Sequence, residues 1–277
     1  MDRELVLLGL ILASASPALL IAALWDCAVP HAVDVSEKQC WSRLWIPVLP
    51  AAVLICGLLG WSLREPADSE PLPWTLLLIS SMAGVVWGRA AIRAMRSMWS
   101  RPTGIYAAAI GLLWPRVVID PRLRAALDPA ALHAVEAHES AHARHHDPLR
   151  IWLAQLITDL QWPLPNARLR FETWLKSLEM LRDDEARRAG VDGADLAAAV
   201  IAAAQFGIVR GAEARITGDG TDLATRVDRL LQPLQSEPPA GSSSTGLFVM
   251  PLLCGMAALA GASFGEVAMA VLVTTLP

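Results

Sequence analysis

Charge is nearly absent from three long stretches in the first third of this chain, and that absence limits what it can fold into. Leu5 to Trp25 is an uncharged run of about 21 residues, Leu44 to Leu63 one of about 20, and Leu72 to Gly88 one of about 17, each near the length a helix needs to cross hydrocarbon. A fourth apolar stretch, Thr245 to Leu276, is broken only by Glu266. With 54% hydrophobic and 18% charged residues distributed so unevenly, the expectation is a mainly α, polytopic membrane protein with about four transmembrane helices. Asp2, Arg3 and Glu4 lack the net positive charge of a secretory signal, so the first run reads as an uncleaved helix despite Ala13-Ser14-Ala15. Pro17, Pro47 and Pro50 would kink the first two spans.

Arg89, Arg93, Arg96 and Arg101 crowd the exit of the third run, whereas the linker before it carries Arg64 among Glu65, Asp68 and Glu70. Positive residues stay in the cytoplasm. The expected topology puts Arg89 to about Thr245 inside and the linker around Asp68 outside. Cys27 and Cys40 then fall in a cytoplasmic loop with Lys38 and Arg43 and read as thiols rather than a disulfide. Cys56 and Cys254 lie within spans. The expected divisions are three N-terminal spans over 1–92, a cytoplasmic domain over 93–234, a flexible Pro/Gly/Ser-rich linker over 235–244, and a last span over 245–277. Glu266 reads as an interfacial residue beyond a span at Leu247 to Gly265.

The domain carries His138-Glu139-Ser140-Ala141-His142. Histidines at i and i+4 leave one face of a helix and can share a zinc ion, while the glutamate between them stays off the metal and can act as general base. Asp128-Pro129 is a helix start, and Ala130 to His146 contains no glycine or proline. Upstream, IGLLWPRVVID (Ile110 to Asp120) reads as a short strand or two. Basic and acidic residues nearly balance in the domain, so no footprint for nucleic acid is present. Ala194 to Val209 reads as a buried or surface helix of the domain rather than a fifth span.

Zinc needs a third protein ligand. The metzincin position falls on Pro148, and His145 and His146 sit a turn too far along. Glu179 is the better candidate, with Asp183 one turn on, placed to hold the ring N–H of a ligating histidine. Glu172 and Glu185 are rivals that periodicity does not reject.

Taken together, the apolar runs, HESAH followed by ARHHDPLR, WPLPNARL, and LEMLRDDEARRAG resemble the BlaR/MecR-type membrane metallopeptidases, over the order of the spans and most of Arg101 to Gly190. The resemblance implies a zincin-like domain between spans three and four, with Zn2+ on His138, His142 and Glu179, Glu139 as general base and Asp183 as outer partner. It implies self-processing and cleavage of a BlaI-like transcriptional repressor. Asp147 matches a family position, which physics reads as structural, and Arg226 to Leu231 is similar to the segment before the family's last span, expected to cover the domain. Relatives that sense antibiotics continue into a penicillin-binding domain, whereas this sequence stops at Pro277. Its signal is therefore expected through the spans, the linker around Asp68, or a partner. The expected partners are a protein substrate and the lipid bilayer, with a homo-oligomer left open. Two rival readings are an HtpX-like quality-control protease and a non-proteolytic zinc-binding membrane scaffold; a structural site would have no use for Glu139.

Overall fold

A computed structural model describes residues 36–62, 74–99, 106–205 and 220–234, with short helical pieces at 8–9, 11–13, 20–24 and 255–257. The described chain is mainly helical. Helix α1 (Glu37–Trp45) runs through a 3-10 turn (Ile46–Val48) into α2 (Leu49–Ser62). Pro47 lies in the turn and Pro50 in the first turn of α2, where a missing N–H costs little. Together they give one helical run, Glu37–Gly60, long and apolar enough to cross a membrane. Among the described residues it is the one run that passes that test.

The expected four spans meet this finding unequally. Leu44 to Leu63 lies almost wholly in the run. Leu72 to Gly88 becomes the first part of a 26-residue helix, α3 (Trp74–Trp99), whose second part carries Arg89, Arg93 and Arg96. Most of Leu5 to Trp25 and of Thr245 to Leu276, together with Cys27, Cys254, Glu266 and the linker 235–244, falls outside the described residues.

A two-stranded antiparallel hairpin follows: β1 (Ala107–Ile110) pairs with β2 (Arg116–Ile119), with Ala108 opposite Val118. The hairpin turns at Gly111, whose φ of 109° and close approach to the Trp114 carbonyl exclude a side chain. β1 starts earlier than the sequence suggests, because Ala107 to Ala109 has little β propensity to announce it. It is a strand through its pairing and through its contact with the motif helix.

Six helices complete the domain: α4 (Pro121–Ala126), α5 (Pro129–Arg144), α6 (Asp147–Leu160), α7 (Pro165–Arg188), α8 (Gly193–Gln205) and α9 (Gly220–Leu231). Asp120 and Asp128 cap α4 and α5 by accepting the amides of Arg122 and Ala131, each at 2.8 Å, with proline next in both cases. The alanine-rich segment is a domain helix, as its length suggested: α8 packs between α5 and α9. Leu230 of α9, Leu196 of α8 and Ala134 of α5 share one core. A methyl on Gly193 would meet the Leu230 carbonyl at 2.1 Å, so glycine is what lets α8 and α9 approach.

Helix α1 lies in the sequence-based N-terminal block, yet it is part of the domain core. Cys40 and Leu44 of α1 join Ala154 of α6 and Phe171, Trp174, Leu175 and Leu178 of α7. Trp41 stacks on Trp174 with ring centroids 4.9 Å apart, and Arg150 lies over both rings. The end of α3 docks separately: Arg89 and Arg93 reach Asp159 of α6 at 3.4 and 2.9 Å, and the Trp152 indole donates to the Ala94 carbonyl. The basic exit of the third apolar run is thus bound to the domain.

Trp174 is fully buried and its indole donates to Glu37 of α1 at 2.8 Å. Trp174→Ala is expected to destabilise the domain by about 3–5 kcal/mol and to expose the chain around α1 to protease. Thermal unfolding with limited proteolysis in detergent checks both; an unchanged midpoint and digest would contradict this core.

Candidate metal centre

The motif helix α5 turns His138, Glu139 and His142 inward; all three are nearly buried. Glu179 reaches the same point from α7. Nε2 of His138 and Nε2 of His142 are 3.1 Å apart. One carboxylate oxygen of Glu179 lies 3.4 Å from His138 Nε2 and the other 3.4 Å from His142 Nε2. Ligands 2.0–2.1 Å from a tetrahedral zinc are separated by about 3.3–3.4 Å. The three contacts are of that length, although the carboxylate meets each nitrogen with a different oxygen, and one ligand atom from each of the three residues lies within 4.8 Å of the other two, which leaves a fourth position open. Among the described residues this is the one cluster of histidine and carboxylate side chains so placed to hold a metal ion.

Each imidazole has its own carboxylate behind it. Nδ1 of His142 is bonded to Oδ2 of Asp147 at 2.9 Å. Nδ1 of His138 lies 3.0 Å from Oδ1 of Asp183, an ion-pair contact without the alignment of a hydrogen bond. A carboxylate at Nδ1 places the ring proton there and frees the Nε2 lone pair. Two such lone pairs facing each other across 3.1 Å repel unless a cation lies between them or a ring is protonated. The donor set thus fits a zinc ion by chemistry and by the orientation of its rings, each with Nδ1 toward a carboxylate and Nε2 toward the shared position.

The electrostatics agree. Burial works to strip His142 of its charge, but the Glu179 and Asp147 carboxylates outweigh it and the ring is pushed up to about 10. His138 is raised in the same way, by Asp183 and Glu179 against burial. For Asp183, burial is overcome by Arg226 and His138, which hold it at about 2. His142 and Arg182 likewise hold Asp147 well below the usual carboxylate range against its burial. The pocket is one in which positive charge is strongly favoured.

Glu139 stays off this cluster. Its Oε2 accepts the backbone amide of Ala109 at 3.0 Å, so strand β1 fixes the carboxylate's orientation. The small side chains of Ala107 to Ala109 allow that approach.

The other sequence candidates lie elsewhere. Glu172 pairs with Arg168 on the exposed face of α7, and Glu185 pairs with Arg144 and Arg182. α5 ends at Arg144; His146 then takes a left-handed φ of 52°, and His145 turns out to Glu185. Neither histidine reaches the metal position.

Sequence reasoning gave Asp147 a structural place near a helix end. It is in fact fully buried, binding His142, Arg182 (2.6 and 3.1 Å) and Arg150 (3.0 Å). The legible signal was the helix break ahead of Asp147-Pro148: with His146 at the cap position, the Asp147 side chain is released from capping. The reading also missed Arg182 and Arg226, which reach Asp147 and Asp183 from distant parts of the sequence, and Arg150, which bonds both nearby Asp147 and distant Glu37.

Because folding holds Asp183 at about 2 against about 3.9 unfolded, its contribution to stability is complete above about pH 4 and lost as the pH falls toward about 2. Asp183→Asn should flatten this acid limb in melting curves of chelator-treated protein between pH 2 and 6. An acid limb identical in the variant would contradict the ion-pair assignment.

No family model, curated protein or solved structure matches this chain.

Proposed function

We propose that the chain is an integral membrane zinc endopeptidase that hydrolyses a peptide bond at the cytoplasmic face. The observation carrying this is the convergence of His138, His142 and Glu179, with contacts of 3.1–3.4 Å between them, and Glu139 anchored beside them but off the cluster. His138, His142 and Glu179 are the residues that would hold zinc. The chemistry supplied by zinc there is Lewis-acid polarisation of a scissile carbonyl and acidification of a water molecule.

Glu139 takes the proton of the attacking water and passes it to the leaving amine, so that the amine departs neutral. The Ala109 amide keeps its carboxylate aimed through both transfers. Asp147 and Asp183 hold the rings of His142 and His138 with Nε2 toward the metal position. Burial of both rings excludes bulk water and strengthens each of these interactions.

A membrane setting is supported by the four apolar runs, by the Glu37–Gly60 helix, and by the continuity of α2 and α3 with elements docked on the domain. Helix α1 packs on the same body as the motif helix, which agrees with the first loop and the domain sharing one side. The arginines at the exit of α3 support a cytoplasmic location for that side. A BlaI-like repressor as substrate, together with self-processing, is the extension that the family resemblance suggests.

The test measures zinc content and proteolysis together, in membranes, for wild type, Glu139→Gln and Glu179→Ala, each with a co-expressed candidate repressor. Glu139→Gln should keep its zinc and lose cleavage by about 10²–10⁴-fold, whereas Glu179→Ala should lose both. Wild-type protein that holds zinc while Glu139→Gln cuts equally well would overturn the catalytic reading.

A further inference from the structure

The functional reading leaves an arginine in the metal centre unused. Arg226 comes from α9, separated from the motif helix by three intervening helices and followed in sequence by the linker and the last apolar run. Its Nε donates to Asp183 Oδ2 and its Nη2 to Asp183 Oδ1, both at 2.8 Å. The same Nη2 lies 3.1 Å from Oε2 of Glu179. Asp183 Oδ1 is in turn the atom beside His138 Nδ1. One guanidinium therefore touches a metal-facing carboxylate and the carboxylate that backs a metal-facing imidazole.

We propose that Arg226 is a positioning residue of the metal centre, holding Oε2 of Glu179 so that Oε1 is the oxygen left for the metal, and that the site is complete only when α9 is docked. This rests on the metal reading of His138, His142 and Glu179. Three carboxylates, Glu139, Glu179 and Asp183, converge on this small buried volume. Without a fixed counter-charge Glu179 would turn from its neighbours or offer both oxygens at once. The planar fork of arginine meets the geometry, since it binds Asp183 through two donors and still brings Nη2 to within ion-pair distance of Glu179 Oε2, without the alignment of a hydrogen bond. A lysine would supply the charge without the fork.

The competing explanation is that Arg226 only fastens α9 to α7. The structure supplies a control for it one turn along the same helix. Arg229 donates to Asp184 at 2.6 Å and to the Met180 carbonyl at 3.2 Å. It thus fastens the same two helices while touching none of the metal-facing residues.

The experiment compares full-length wild type, Arg226→Ala, Arg226→Lys and Arg229→Ala in detergent, with thermal unfolding as the folding check. Zinc affinity is read by chelator competition, and ligand geometry by the visible absorption of the cobalt-substituted protein. Arg226→Ala should bind zinc about 10–100-fold more weakly and show altered cobalt bands, with Arg226→Lys recovering only part of the affinity. Arg229→Ala should stay within about twofold of wild type and keep its bands. Equal losses in Arg226→Ala and Arg229→Ala, or wild-type affinity in Arg226→Ala, overturn the proposal while leaving the metal site intact. If Arg226→Ala does not fold, Arg226→Lys decides: folded protein with weakened zinc and shifted bands supports the positioning role, and wild-type behaviour overturns it. Wild-type protein that takes up no zinc overturns both this proposal and the peptidase reading.

Discussion

Pairing each metal-facing imidazole with a buried carboxylate is the constraint on which the centre depends. Asp147 and Asp183 are both completely excluded from solvent. A buried carboxylate without a partner would take up a proton and cease to orient anything. Each is kept ionised by arginine as well as by its histidine: Arg182 and Arg150 for Asp147, Arg226 for Asp183. The charges alternate outward from the metal position, and this alternation fixes where the surrounding helices sit. α7 supplies Glu179, Arg182 and Asp183 within five consecutive positions. Their spacing puts a ligand and its support on the face turned to α5, while Arg182 reaches across to the start of α6.

Much of this centre was legible because its spacing is local. The HExxH helix, its Asp128-Pro129 start and the choice of Glu179 over His145 and His146 follow from helical periodicity and from the distance a ligand can reach. Asp183 followed from the same periodicity, one turn beyond Glu179. The illegible part is what the fold brings together from afar. No periodicity connects Arg226 to Glu179 or Arg150 to Glu37, since those partners meet through packing of separate helices. Strand β1 was misplaced for a related reason: Ala107 to Ala109 carries no intrinsic strand preference, and its conformation comes from β2 and α5.

Membrane organisation shows the same division. Composition identifies apolar runs, and one of them, Leu44 to Leu63, lies mostly within the helical run Glu37–Gly60. It does not foretell that the polar start of that run, Glu37 to Leu44, belongs to a globular core. The decisive residue is Trp174, whose ring receives Trp41 and Arg150 and whose indole binds Glu37. Such a site on α7 converts a loop next to an apolar run into a structural helix.

That conversion gives the apolar run a physical route to the metal position. Arg150 donates to Glu37 of α1 and to Asp147, and Asp147 holds the His142 ring. These are three consecutive charge-assisted contacts, each between groups at least half removed from water, where pair interactions are less screened than at a surface. On the opposite side Arg226 makes the corresponding connection from α9 to Glu179 and to the carboxylate behind His138. A displacement of either flanking helix would first be felt at the carboxylates, because rigid packing around Trp174 and Leu230 leaves little room for it to be absorbed elsewhere. The two histidines of the candidate metal centre are thereby held from two separate helices, α1 and α9, that lie outside the motif segment itself.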